Sequence, residues 1–257
     1  MLSEKRIVEE LNNLGIKAPK IVYYNLTDST NTRAREYAKA NPTQKSPVIF
    51  IADGQTAGRG RRGRSFVSES GAGIYISILT YPAENNLDVA GATAKAAVSL
   101  SRAIESLCDA DIKIKWVNDL YLGGKKLAGI LCEGEFDSEG KTTCQVVGMG
   151  INVYKNGIID EISTIATSIE NELGNAPDRA KLVARIIKEF LFENGNYHKE
   201  YLKRSFVIDK NITVIKPSES YDAKVLDINP DFSLKIERDG RIERLFTGEI
   251  SIKVNPI

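Results

Sequence analysis

Residues 53–64 read Asp53-Gly54-Gln55-Thr56-Ala57-Gly58-Arg59-Gly60-Arg61-Arg62-Gly63-Arg64 and follow directly on the apolar run Val48-Ile49-Phe50-Ile51-Ala52. Four arginines and three glycines fill positions 58–64. Glycine costs the most backbone entropy to order, and neighbouring guanidinium groups repel by roughly 1 kcal/mol per pair even in water. Ordering about eight such residues costs on the order of 8–16 kcal/mol, so the loop by itself is predicted to be mobile. An anion reverses that balance, because arginine offers planar forks to carboxylate and phosphate while glycine lets backbone N–H groups come close. In isolation the run fits a solvated basic turn or an RNA-binding arginine–glycine segment. Here it is one short insertion after a strand-like run in a chain of net charge +1. A broad nucleic-acid face has no support in that charge, and a small anionic ligand is favoured.

Composition bounds the rest. A chain of 257 residues, 42% hydrophobic and 27% charged, can bury one substantial core and a small second domain. Its N-terminus is charged from Glu4 onward and lacks the apolar stretch of a signal peptide, and no run reaches membrane-spanning length. A cytoplasmic protein with no membrane partner is expected. Cys108, Cys132 and Cys144 show no metal-ligand or redox spacing, and His198 is the sole histidine. That argues against a zinc site, a disulfide scaffold and histidine catalysis, and leaves the cysteines as small buried hydrophobes and His198 as a helix-surface residue.

In chain order, Ser3 can cap a short amphipathic helix over residues 4–14, ended by Gly15. The strand Ile21-Val22-Tyr23-Tyr24 runs into Asp28-Ser29-Thr30-Asn31, whose side-chain oxygens can cap a helix over 32–40. A helix N-terminus there also suits an anion. Strand alternation returns over 73–81, followed by an Ala-rich helix over 89–107. A strand is expected over 112–117, continuing through 118–122 to the Gly123-Gly124 turn and returning over 125–133. A second turn, Asp137-Ser138-Glu139-Gly140, leads into 145–153, which completes an antiparallel meander. Helical periodicity covers 168–173 and again 178 to about 202. From Asn211, short strands separated by Pro217-Ser218-Glu219-Ser220, Asn229-Pro230-Asp231 and Asp239-Gly240 suggest a five-stranded barrel.

Four signals therefore stand in order: Asp28-Ser29-Thr30-Asn31; Gln55 with the glycine–arginine loop; Lys115-Trp116-Val117-Asn118-Asp119 with Lys126-Leu127-Ala128-Gly129-Ile130; and Gly148-Met149-Gly150-Ile151-Asn152-Val153. In this order, with a β-rich module behind them, they closely resemble the biotin protein ligases over about residues 21–257. The resemblance implies an α+β fold: a mixed, largely antiparallel sheet with helices, like class II aminoacyl-tRNA synthetases, over residues 1–205, and a small SH3-like β-barrel over 206–257. It also implies a two-step reaction. Biotin and ATP, with Mg²⁺, give biotinyl-5′-AMP and pyrophosphate, and a lysine of a biotin carboxyl carrier domain then takes the biotinyl group. The residues suit that chemistry, because negative charge gathers on phosphoryl oxygens where Arg61, Lys115 and Lys126, the expected catalytic residues, can meet it. An adenylate is already a mixed anhydride, so the second step needs only a positioned amine and no cysteine or histidine nucleophile.

Carried over residue by residue, the biotin contacts fall on Ser29, Thr30, Asn31, Gln55, Gly58, Arg59, Gly60, Arg61, Lys126 and Gly129. Neutral donors and acceptors from Ser29, Thr30 and Gln55 suit a ureido ring, while Arg61 and Lys126 suit the valerate carboxylate. The ATP or adenylate contacts fall on Arg62, Arg64, Trp116, Asn118, Asp119 and Asn152, with the Mg²⁺ ligands and the residue that covers adenine left open. Repressor-type relatives carry an N-terminal winged helix-turn-helix, whereas about 20 residues precede the first strand here, so no specific DNA binding is expected. A homodimer is left open. The rival readings are a lipoate or octanoate ligase or transferase of the same fold, which lacks this arginine loop, and a non-catalytic nucleic-acid-binding protein.

Overall fold

The computed structural model describes residues 1–81, 88–136, 138–139, 142–216 and 219–253. Among the described residues the first unit is a seven-stranded sheet of order β1-β2-β3-β7-β6-β5-β4. Its strands are β1 (Lys20–Thr27), β2 (Val48–Gln55), β3 (Gly73–Thr80), β4 (Lys113–Lys115), β5 (Asp119–Leu122), β6 (Lys125–Phe136) and β7 (Thr142–Asn152). β1 runs parallel to β2 and every other pairing is antiparallel, so the sheet is mixed and largely antiparallel. The β5–β6 hairpin turns on Gly123 and Gly124 at φ +57° and +82°, the positive pair that a two-residue turn of this hand requires.

One face of the sheet packs on α1 (Glu4–Asn13), α3 (Val89–Glu105) and α5 (Arg179–Leu191). Ser3 caps α1 through the Arg6 N–H and Gly15 follows it at φ +71°, as the sequence suggested. The alanines of α3 let the helix lie close: Ala94, Ala96, Ala97 and Ala103 are fully buried against Ile74, Ile76, Ile130 and Ile151. The other face is covered only in part. There α2 (Thr30–Ala40) sits on Val48, Phe50, Leu79, Cys144 and Val146. Further along, the same face presents Gly129, Gly150 and Gly148, which leaves a depression.

The second unit is a five-stranded antiparallel sheet, order β11-β10-β9-β8-β12, consistent with an SH3-like module. It comprises β8 (Asn211–Ile215), β9 (Ser220–Ile228), β10 (Leu234–Arg238), β11 (Arg241–Leu245) and β12 (Glu249–Ile252). Short helices α4 (Ile169–Leu173) and α6 (Tyr197–Arg204) lead toward it. The expected turns at 137–140 and 217–220 include Asp137, Gly140, Pro217 and Ser218, which lie outside the described residues.

Three expectations are corrected. The helix expected over 178–202 is two, broken at Glu193-Asn194-Gly195-Asn196, where Asn196 caps α6 through the Lys199 N–H. The stretch 112–122 is not one continued strand but a tight hairpin, Lys115 pairing with Asp119. No glycine or proline marks that reversal, because tertiary contacts impose it: the Trp116 indole N–H donates to the Phe232 carbonyl at 2.7 Å and the Tyr201 hydroxyl donates to the Val117 carbonyl at 3.1 Å. His198 is not a solvated surface residue. It meets the Ile228 carbonyl at 2.9 Å and stacks edgewise on Phe232, at the junction with the second sheet.

Candidate active site

The glycine-lined depression becomes a cleft of about 440 Å³, roofed by the arginine loop and bordered on one side by Glu249 and Ile250 of β12 and by Gly248 just before it. Ser29, Thr30, Asn31, Gln55, Arg59, Gly60, Arg61, Lys126 and Gly129 all border it, as do Arg62, Arg64, Lys115, Trp116, Asn118, Asp119 and Asn152. Gly58 is not in its wall. A side chain there would strike the Phe66 carbonyl and the Ser68 hydroxyl at 2.4–2.6 Å, so Gly58 lets the two limbs of the loop close on each other.

One end of the cleft is a neutral hydrogen-bonding pocket. Gln55 Oε1 accepts from the Thr30 backbone N–H at 2.8 Å and the Thr30 hydroxyl at 3.2 Å, and its Nε2 donates to Ser68 Oγ at 3.0 Å. Ser77 Oγ bridges Thr30 Oγ1 at 2.7 Å and Asn31 Oδ1 at 2.6 Å. Ser29 is the N-cap of α2, yet its side chain makes no capping bond, contrary to the expected role, and the residue borders the cleft. Asn31 borders the same pocket. Its amide is spent on the Leu131 carbonyl and the Glu133 carboxylate, so it shapes the wall from within it. Phe66 lies over the glycine row, 2.6 Å from where a Gly150 side chain would begin, and gives the pocket its apolar surface.

The other end is cationic. Lys126 Nζ pairs with Asp119 Oδ1 at 2.7 Å, and Arg61 Nη1 donates to Asn118 Oδ1 at 3.0 Å. The Lys115 ammonium makes no hydrogen bond or ion pair among the described residues. Burial pulls it below the ordinary lysine value, only partly opposed by Asp119 and Glu249. Burial, with Arg62 beside it, likewise pulls Arg61 down, though a guanidinium stays charged at neutral pH. Cations held this way, short of full pairing and away from water, favour an incoming anion strongly.

The loop also has partners that the sequence reading did not count. Arg61–Gly63 forms a single tight turn, with Arg62 at φ +57°. Arg62 donates to the Ile215 carbonyl at 2.8 Å, Arg64 pairs with Glu249 at 2.6 Å and Arg59 pairs with Glu133 at 2.8 Å. Trp116 borders the cleft, but its N–H is committed to Phe232 and the residue is only 4% exposed. Asn152 donates to the Thr167 carbonyl at 3.0 Å, which fixes its amide at the cleft wall. Sequence reasoning passed over Ser68, Ser77, Phe66, Glu133 and Glu249. For Ser77 one signal existed, a polar residue on an otherwise apolar alternation; the others carried none.

The family described as the biotin/lipoate A/B protein ligase family matches residues 23–152. The bifunctional ligase/repressor BirA of Bacillus subtilis is 29% identical over 246 residues, covering 90% of this chain and 74% of its own. The biotin–[acetyl-CoA-carboxylase] ligase of Mycobacterium tuberculosis is 27% identical over 261 residues, covering 97% and 95%. The solved biotin protein ligase from Aquifex aeolicus in complex with biotin and ATP shares the fold at a TM-score of 0.77 and 24% identity, over 93% of this chain and 100% of that one. With more than half the chain inside the matched region, and its four sequence motifs gathered around one cleft, the chain belongs to the biotin/lipoate A/B protein ligase family.

Proposed function

We propose that the protein activates biotin with ATP and transfers it to a lysine of a biotin carboxyl carrier domain. The observation that carries this reading is the polarity of the cleft: a neutral donor–acceptor pocket at Ser29, Thr30 and Gln55 faces a cluster of Arg61, Lys115 and Lys126 across a glycine floor. A ureido ring fits the first and a carboxylate meeting a phosphate fits the second. In the first step a biotin carboxylate oxygen bonds to the α-phosphorus as the bond to the β-phosphate breaks and pyrophosphate leaves. Lys126 and Arg61 neutralise the carboxylate and phosphoryl oxygens as they approach, and Lys115, which has no ion pair among the described residues, takes the charge that builds up. Asp119 must yield Lys126 to the ligand. In the second step the carrier amine attacks the acyl carbon, the bond to AMP breaks, and the amine proton goes to solvent.

Mg²⁺ belongs in this reading to the MgATP substrate. Asn118, Asp119 and Asn152 offer oxygen atoms at the cleft, while the described residues hold no group of three or more His, Cys, Asp or Glu placed for a metal. That donor set suits a magnesium that keeps phosphate and water ligands. The test is direct. Purified protein with biotin and MgATP should release pyrophosphate and label one lysine of a carrier domain, and lipoate should substitute poorly because its dithiolane ring lacks the donors and acceptors with which a ureido ring meets the polar pocket. Comparable turnover with lipoate would overturn the biotin assignment.

A further inference from the structure

Glu133 takes no part in the chemistry above, yet three side chains, two from α2 and one from the arginine loop, converge on its carboxylate. Oε2 accepts from Asn31 Nδ2 at the start of α2 and from Arg59 Nη2 in the loop, each at 2.8 Å, and Oε1 lies 3.7 Å from Arg35. Arg35 sits closer to the nearby Glu135, which Lys39 also meets, so the shortest ion pair of Glu133 is the one to Arg59. We propose that Glu133 is a positioning residue: its ion pair with Arg59 latches the arginine loop to the cleft wall and sets where Arg61 stands.

Counting the side-chain ties of the loop among the described residues supports this. Arg62 and Arg64 reach the second sheet, at Ile215 and Glu249. Arg61 reaches Asn118, a tie that an incoming anion competes for. Arg59–Glu133 is then the one tie from residues 58–64 to the seven-stranded sheet that ligand binding leaves standing. The pair is only partly screened, with side chains 37% and 22% exposed. Glu133 shares one oxygen between Arg59 and Asn31, and Asn31 adjoins Thr30, so the latch also connects loop position to the neutral pocket. Arg59, expected to touch the ligand, is thereby a loop anchor.

The latch itself follows from the contacts; its effect on adenylate rests on the ligase reading. Glu133→Gln keeps the shape and loses the charge, and Arg59→Gln removes the same pair from the exposed end. Each should speed cleavage within residues 58–64 by a broad-specificity protease about tenfold without ligand, and the double variant should be no faster than the quicker single one. With substrates, Glu133→Gln should raise KM for biotin and the adenylate off-rate about tenfold while single-turnover adenylation at saturating biotin stays within about twofold. Cleavage at the wild-type rate in both single variants, or effects that multiply in the double, would overturn the latch. Should Glu133→Gln fail to fold, Arg59→Gln carries the test. If protease protection depends on the pair but the wild type makes no adenylate, the latch stands and the ligase reading fails.

Discussion

Lys126 shows what a single side chain contributes here. Its ammonium rests on Asp119 and is one-third exposed, so little of the fold depends on it. Lys126→Ala should lower the adenylation rate by about 10²–10³-fold while stability changes by under about 0.5 kcal/mol, a contrast read by pyrophosphate release beside a melting curve. Lys115 makes a pH prediction. Burial favours its neutral amine, so kcat/KM for adenylation should fall on an alkaline limb centred below the ordinary lysine value. Lys115→Arg should move that limb upward, and bound anion should do the same for kcat, because negative charge favours the ammonium. Gly148→Ala would drive a methyl group into Asn31 Oδ1; overpacking of this kind costs about 1–3 kcal/mol, and the displaced α2 start should raise KM for biotin. The cations and the Thr30–Gln55 pair were legible because their chemistry resides in residue type and motif. Glu133 was not, since it acquires its role only through strand register, nor was Ser68, which reaches Gln55 only because the loop folds back; Ser77 showed as a polar break in an apolar strand, but its role came only when register set it opposite Gly148.

At the scale of elements, the loop is expected to act as a lid. It has four side-chain ties among the described residues, of which the one from Arg61 lies in the cleft. Arg61→Gly should weaken the closed state, raise the off-rate of the adenylate by about tenfold and let escaped adenylate label bystander lysines, scored by biotin blotting of an added inert protein. Unchanged retention would show the loop to be a static turn. Elements with strong local signals were legible: α1 between Ser3 and Gly15, α3 from its alanines, the hairpin from Gly123-Gly124. The 112–122 hairpin and the break before α6 were not. The first is folded back by contacts to Phe232 and Tyr201, and in the second the apolar spacing carries on across the interruption at Asn194-Gly195-Asn196.

For the whole molecule, the junction between the sheets is the feature that matters, since the cleft takes its walls from both. Helix α6 is held there by a charged network in which Glu200 accepts from Arg102 and Arg204, and Arg204 also pairs with Glu105. Burial alone would raise Glu200, but the two arginines outweigh it and hold its carboxyl below the ordinary glutamate value. Because the folded value is depressed, the stabilisation is fully present above the unfolded glutamate pKa and is lost as pH falls through the folded one. Glu200→Gln should cost about 1–2 kcal/mol at neutral pH and progressively less in acid, measured by denaturant unfolding across pH. Trp116 sits on this same junction, its indole N–H bonded to Phe232, and it is the sole tryptophan of the chain. The protein therefore carries its own optical gauge: emission excited at the indole comes from one spot where cleft and both sheets meet. Its colour should be blue while the second sheet is seated and redden when that sheet lifts away, so a titration with biotin or MgATP can be followed on the unlabelled chain, separating motion at the junction from unfolding elsewhere.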